Sequence, residues 1–132
     1  MIMLAKTGMT LLGMILISAA LCFGAAVGDG AWLAGVPARE HDKTNPFKDQ
    51  PDAISAGRRV YVDHCLHCHG ESAEGTKKRP ALTSDRVQHQ ASEGDLHWLL
   101  VNGSMKKGMP TWSKLGDPQI WQVIRYLKSL HQ

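Results

Sequence analysis

Aromatic residues are scarce in this chain of 132 residues and make up 6% of it. A domain of this size with so few aromatic side chains has little apolar bulk for a stable core, unless a bound group supplies more. Charged residues (20%) and hydrophobic residues (43%) lie near ordinary globular fractions. This composition excludes a disordered, a collagenous or a multi-spanning membrane protein. The length allows a single domain.

A strong excess of charge is also lacking, since the formal net charge is only +3. Such a small excess does not indicate a nucleic-acid partner. The basic residues do form two short runs, at 77–79 and 106–107. Each run is either an ordinary solvated loop or part of a cationic surface that steers an acidic redox partner.

One stretch carries a specific chemical signal: Cys65-Leu66-His67-Cys68-His69 reads C-x-x-C-H, the attachment sequence of a covalent c-type haem. Two thiols three positions apart share one helical turn, where they can add to the two vinyl groups of one haem. His69 follows directly and can reach the iron. A zinc site is an alternative, but it lacks a second separated ligand pair. A thioredoxin-like dithiol is another, but no βαβ pattern surrounds the motif.

The N-terminal residues 1–28 have the layout of a secretory signal peptide: an early Lys6, an apolar run from Met9 to Phe23 and a small-residue end. An uncleaved membrane anchor is the alternative, because the run to Gly28 approaches the ~20 residues that span a bilayer. Export agrees with haem attachment, since thioether haem is assembled outside the cytoplasmic membrane of bacteria. Residues 29–51 lack periodicity and are predicted to be a linker or a surface-hugging arm, with Trp32 or Phe47 as its contact to the domain.

Helical patterns dominate the remainder, and neither a strand signal nor an internal repeat appears. Helices are predicted at 53–64 after an N-cap at Asp52, at 93–102, and from Asp117 as N-cap to about residue 130, with a helical turn near 84–87. Gly57 inside the first of these predicts a close contact between helices, with a merely tolerated glycine as the alternative. His97 lies off the apolar face of the second and is predicted to face solvent.

Met109 stands between Gly108 and Pro110 in an otherwise polar loop. It has little core to join, which makes it unlike an ordinary packing methionine. It is therefore the candidate sixth ligand of a haem iron, and Met105 is its rival.

Taken together, these motifs resemble the monohaem class I cytochrome c family over roughly residues 52–132. The resemblance rests on Gly57 and Tyr61 before C-x-x-C-H, on Arg79-Pro80-Ala81-Leu82, on Gly-Met-Pro near a Trp, and on a terminal helix reading Ile-Trp-x-Val-Ile-x-Tyr-Leu. It implies an all-α domain of three to four short helices wrapped around one covalent haem c.

The resemblance also implies roles for individual residues. Cys65 and Cys68 would hold the haem by thioether bonds, His69 and Met109 would be the axial ligands, and the carbonyl of Pro80 would accept the Nδ1 proton of His69. Gly57 and Tyr61 would pack against the last helix, and Trp112 would face a propionate. Arg79 replaces the Gly that often precedes this proline and is a candidate partner for a propionate.

A His/Met-ligated haem predicts a single-electron carrier that is not itself an enzyme. It would pass electrons between a periplasmic dehydrogenase or respiratory complex and an acceptor, docking at the haem edge. The expected location is the periplasm, or the periplasmic side of the cytoplasmic membrane if the leader stays uncleaved. The alternative is a haem-based gas-binding, sensor or peroxidase protein with a labile sixth ligand.

Overall fold

Helices form the regular structure of residues 31–131, the part of the chain that the computed structural model describes. No strand occurs in this part, which contains only two isolated bridges, Thr76 to Arg79 and Ser104 to Met109. The all-α prediction is confirmed, although the short helical elements outnumber the three or four expected. The α-helices are α1 (Ala38–His41), α2 (Asp52–His64), α3 (Leu66–His69), α4 (Glu93–Asn102) and α5 (Asp117–Lys128). A π-helical turn covers Arg86–Gln90, and 3-10 turns cover Leu33–Gly35, Met105–Lys107 and Ser113–Leu115.

The predicted leader, residues 1–28, lies outside the described residues. Within residues 31–131, no helix combines the length and the apolar character needed to cross a membrane. The choice between a cleaved signal peptide and a retained anchor therefore stays a prediction from the sequence.

The fold is built on the close approach of α2 to α5. At Gly57 the backbone of α5 comes so near that an added Cβ would lie 1.9 Å from the carbonyl oxygen of Gln122 and 2.9 Å from the Cβ of Tyr126. One turn later, the rings of Tyr61 and Tyr126 meet with centroids 5.3 Å apart. The helix contact predicted from Gly57 is confirmed. The buried apolar side chains around it are Val60, Tyr61, Ala73, Val87, Ala91, Leu96, Leu100, Ile120, Trp121, Val123, Ile124, Tyr126 and Leu127.

The observed ends of the helices show which ends the local sequence signals predicted correctly. The bounds of α4 are those predicted, because Ser92 and Asp95 form a reciprocal capping box at its start and Gly103, at φ +69°, ends it. The predicted N-caps of the other two helices are wrong by one residue. Asp52 and Asp117 each lie in the first turn of their helix, after Pro51 and Gly116.

His97 is buried, so the prediction that it faces solvent is wrong. Its ring stacks on that of Trp121 with centroids 4.2 Å apart and an interplanar angle of 19°, and its Nε2 lies 3.1 Å from Oδ1 of Asp117. The reason is that α5 covers a second side of α4. An apolar stripe on one helix does not reveal how wide a surface its neighbour covers.

The described part of the predicted arm packs against α4 and α5. An added Cβ on Gly94 would lie 1.9 Å from the carbonyl oxygen of Glu40, and the Ser92 hydroxyl donates to the carbonyl of His41 at 2.7 Å. Asn45 is fully buried, and its Nδ2 donates to the carbonyl of Trp121 at 2.9 Å. Trp32 and Phe47 are both partly buried against the core.

The contact at Gly57 can be tested by Gly57→Ala. Although alanine favours the helix by about 1 kcal/mol, the clash with the Gln122 carbonyl is expected to lower the free energy of unfolding by about 1–3 kcal/mol. Chemical denaturation measures the change. The control is Gly35→Ala, where an added Cβ meets nothing within 4 Å. Equal denaturation midpoints for the two variants would contradict the close approach.

Candidate functional site

The C-x-x-C-H motif forms a single helical turn directly after α2. The amide of Cys65 donates to the carbonyl of Tyr61 at 2.8 Å, which continues the hydrogen-bonding pattern of α2. The amides of Cys68 and His69 then donate to the carbonyl of Cys65 at 3.1 and 3.0 Å. The two cysteines and the histidine are thus held on one turn, as the spacing predicts.

The two thiols differ in their surroundings. Cys65 is partly buried and Cys68 is exposed, and neither forms a disulfide. Burial, with a smaller effect of Cys68, raises the pKa of the Cys65 thiol to about 11. Dithiol exchange needs an attacking thiolate, whose formation this environment opposes at Cys65. The buried thiol therefore does not favour a thioredoxin-like dithiol.

His69 is buried, and its Nδ1 lies 3.0 Å from the carbonyl oxygen of Pro80. Because a carbonyl oxygen only accepts, Nδ1 carries the proton and Nε2 keeps its lone pair. Burial lowers the pKa of this imidazole; the bond to Pro80 opposes that shift and the charge of Arg79 adds to it. The neutral form with a free Nε2 is the form that ligates a metal.

The loop after the motif holds the Pro80 carbonyl in place through its own backbone bonds. The amide of Gly75 donates to the carbonyl of His69 at 2.7 Å, and the amide of Leu82 donates to the carbonyl of Ala73 at 2.8 Å. The loop therefore folds back on the motif at Gly75 and closes on itself at Leu82.

Tyr61 makes a contact that no sequence pattern indicated. Besides packing on α5, its hydroxyl donates to the carbonyl of Gly70 at 2.6 Å. Burial raises the pKa of this phenol, so the hydroxyl keeps its proton over the physiological range. The bond fixes the residue that directly follows the motif.

Arg79 links two loops that are far apart in the sequence. Its Nη1 donates to the carbonyl of Lys107 at 2.8 Å, and an added Cβ on Gly108 would lie 2.8 Å from the same nitrogen. The sequence suggested only a propionate as partner for this residue. The guanidinium here joins the loop carrying Pro80 to the loop carrying Met109.

The two candidate methionines lie in different environments. The backbone groups of Ser104 and Met109 bond to each other, with amide-to-carbonyl distances of 2.8 and 3.1 Å, and this closes the loop between them. Met109 is partly buried against the same core as Cys65, whereas Met105 is 71% exposed. Only Met109 is held beside the apolar interior.

Trp112 lies at the end of α2. Its ring centroid is 5.4 Å from that of His64, and its amide donates to the carbonyl of Leu100 at 2.8 Å.

The residues of the site fit the covalent haem that the motif implies. Two free thiols share a turn, and a neutral imidazole has a free Nε2. The partly buried apolar side chains of Leu66, Leu82 and Met109 pack against the same core as Cys65.

Comparison with known proteins agrees with this chemistry. The family model described as cytochrome c oxidase, cbb3-type, subunit III matches residues 52–127, more than half of the chain. The cbb3-type oxidase subunit CcoP of Rubrivivax gelatinosus is 28% identical over 81 residues, which is 61% of this chain and 27% of that protein. Subunit FixPc of Rhizobium leguminosarum bv. viciae is 32% identical over 89 residues, which is 66% of this chain and 31% of that protein.

The chain therefore spans less than a third of these curated relatives. Among solved structures, the crystal structure of cytochrome cL from the marine methylotroph Methylophaga aminisulfidivorans aligns with a TM-score of 0.55 at 23% identity. The alignment covers 65% of this chain and 58% of that one. At this identity the likeness concerns the fold alone.

The contribution of the Tyr61 hydroxyl can be measured with Tyr61→Phe. Loss of its bond to the Gly70 carbonyl is expected to lower the free energy of unfolding by about 1 kcal/mol. Tyr126→Phe is the matched control, since the described residues offer its hydroxyl no hydrogen-bond partner. Indistinguishable denaturation midpoints for the two variants would show that the bond to Gly70 contributes nothing.

Proposed function

The chain belongs to the cbb3-type cytochrome c oxidase subunit III family of c-type cytochrome domains, and from this premise we propose that it is a single-electron carrier with a His69/Met109-ligated iron. Its cofactor is haem c, bound covalently through Cys65 and Cys68. The observation that carries the proposal is the buried, neutral His69, whose Nδ1 is bonded to Pro80 while its Nε2 is free.

The bond to Pro80 supports His69 as the first axial ligand. Donation from Nδ1 to a carbonyl sets the tautomer and ring orientation, and it raises the basicity of Nε2. Burial, with a smaller effect of the positive charge of Arg79, lowers the pKa of the same imidazole and so favours the neutral form.

The position of Met109 supports it as the second axial ligand. The paired backbone bonds to Ser104 hold it beside the core, whereas the rival Met105 is 71% exposed. With His69 and Met109 as its ligands, a haem bound here would supply one-electron redox chemistry and would leave no coordination site open to a substrate. The chain then acts as a carrier and catalyses no reaction by itself. A gas-binding, sensor or peroxidase protein would instead need this methionine to leave the iron.

Partners and location follow as further parts of the proposal. The relatives are named as subunits of cbb3-type oxidases, which supports a respiratory complex or oxidase as one electron partner and a dehydrogenase as another candidate. We place the domain in the periplasm, exported by residues 1–28. Those residues are either removed or kept as an anchor in the cytoplasmic membrane.

The docking surface we propose is a basic face made of Lys77, Lys78, Lys106 and Lys107. All four side chains are exposed, and the bond from Arg79 to the Lys107 carbonyl brings the two loops that carry them together. Since the second loop also carries Met109, the face adjoins the proposed haem ligand. It would attract an acidic partner surface and speed its association at low salt.

Absorbance spectra and redox titration of the purified protein test the assignment of the ligands. Met109→Ala is expected to lower the reduction potential, to remove the far-red band of a methionine-ligated ferric haem and to let the reduced iron bind CO. Met105→Ala is the control, since this side chain is 71% exposed. The reverse pattern would contradict the choice of methionine, and CO binding by the wild-type protein would favour the gas-binding alternative.

The basic face can be tested without knowing the partner, by using ferrocyanide as an anionic reductant. Lys106→Glu with Lys107→Glu is expected to slow reduction of the ferric protein severalfold at low ionic strength, and the difference should shrink as salt is added. The control for the change in net charge is Arg39→Glu with Lys48→Glu, on the segment that precedes α2. Equal slowing by both double variants would show that net charge alone matters.

A further inference from the structure

Gln88 is a polar residue placed in the core, 8% exposed, where its amide joins two parts of the chain. Its Nε2 donates to the carbonyl of Leu82 at 2.6 Å and to the carbonyl of Leu127 at 3.0 Å. Leu82 belongs to the loop that supplies the Pro80 carbonyl, and Leu127 lies in the last turn of α5. Both hydrogens of one amide group thus bridge the loop and the helix.

Lys128 fixes the backbone from which Gln88 extends. Its Nζ donates to the carbonyls of Val87, Gln88 and Ala91 at 2.7, 2.9 and 2.6 Å. These three bonds use all the hydrogens of the ammonium group. The same bonds satisfy carbonyls at the end of the π-helical turn, where backbone groups lack regular helical partners. Turns of this kind often occur at functional sites.

The bridge reaches the proposed haem ligand through a short stretch of backbone. Leu82 is held on both sides, by its amide bond to the Ala73 carbonyl at 2.8 Å and by its carbonyl bond to Gln88. Pro80 lies only two residues earlier, and its carbonyl oxygen is 3.0 Å from Nδ1 of His69. Two residues allow the chain little freedom, so a displacement at Leu82 is passed on to the Pro80 carbonyl.

We propose that Gln88 and Lys128 are positioning residues that hold the Pro80 carbonyl on Nδ1 of His69 and thereby set the reduction potential of the haem. This inference rests on the proposed function, because it takes His69 as the axial ligand. A well-aligned hydrogen bond from Nδ1 to the Pro80 carbonyl makes His69 a stronger electron donor to the iron. A stronger electron donor stabilises the ferric state. Loosening the bridge therefore raises the potential, although neither residue lies in the C-x-x-C-H motif or in the loop with Met109.

The test uses the haem-loaded protein with Gln88→Leu, which removes the amide, and Lys128→Met, which removes the ammonium group. Both variants are expected to raise the midpoint potential. They should also speed exchange of the His69 Nδ1 proton, followed by NMR, by about tenfold, because a weakened hydrogen bond opens more often. Lys128→Arg keeps a charged donor and should restore part of both values. Gln88→Asn, an amide one carbon shorter, should give intermediate values if Gln88→Leu does not yield folded protein.

Val123→Ala is the stability-matched control, because Val123 is 1% exposed in α5 and makes no side-chain hydrogen bond. It should lower the denaturation midpoint while leaving the potential and the proton exchange unchanged. If Gln88→Leu and Lys128→Met behave like Val123→Ala, the two residues are merely structural and the inference is overturned.

A different measurement, the spectrum of the wild-type protein, would contradict the proposed function. If the wild-type spectrum lacks His/Met ligation, the carrier assignment falls and this inference falls with it. If the wild type shows that ligation but the bridge variants leave the potential unaltered, only the positioning role is lost.

Discussion

The near contact of two helix backbones at Gly57 is the constraint on which the site depends. With no side chain there, α2 approaches the Gln122 carbonyl of α5 more closely than any other residue would allow. The position of α2 is thereby set, and the C-x-x-C-H turn follows it with only Cys65 between α2 and α3. Tyr61 adds a second tie, because its ring packs on Tyr126 while its hydroxyl holds the Gly70 carbonyl.

His69 shows how the fold divides two tasks between the two nitrogens of one imidazole. Nδ1 is occupied by the Pro80 carbonyl, so Nε2 is left with its lone pair. Burial keeps the ring neutral, which a metal ligand requires. A haem placed against this ring would also add the apolar surface that a chain with 6% aromatic residues lacks.

The loops around the site are connected by side-chain bonds to backbone carbonyls. Arg79 joins the Pro80 loop to the Met109 loop, and Gln88 with Lys128 joins the same Pro80 loop to the end of α5. Bonds of charged donors to carbonyls are stronger than neutral ones, so a few of them suffice to hold irregular segments. Under the proposed function, the Arg79 bond shapes the basic face that meets a partner. The connection through Gln88 and Lys128 adjusts the reduction potential of the haem iron.

The sequence by itself determined the chemistry of the motif, the helical class and the bounds of α4, because each of these depends on neighbouring residues. C-x-x-C-H is read within one turn, and the Ser92/Asp95 box lies within three residues. The close contact between α2 and α5 was also indicated by a single residue, Gly57.

Only the tertiary structure decided which distant groups meet. It buried His97 under Trp121, turned Arg79 toward the Lys107 carbonyl, and brought the amide of Gln88 to the carbonyls of Leu82 and Leu127. For the bonds of Arg79 and Gln88, the physical reason is that a backbone carbonyl is present at every position and leaves no mark in the sequence. A donor's partner is therefore known only after packing has placed the two segments side by side.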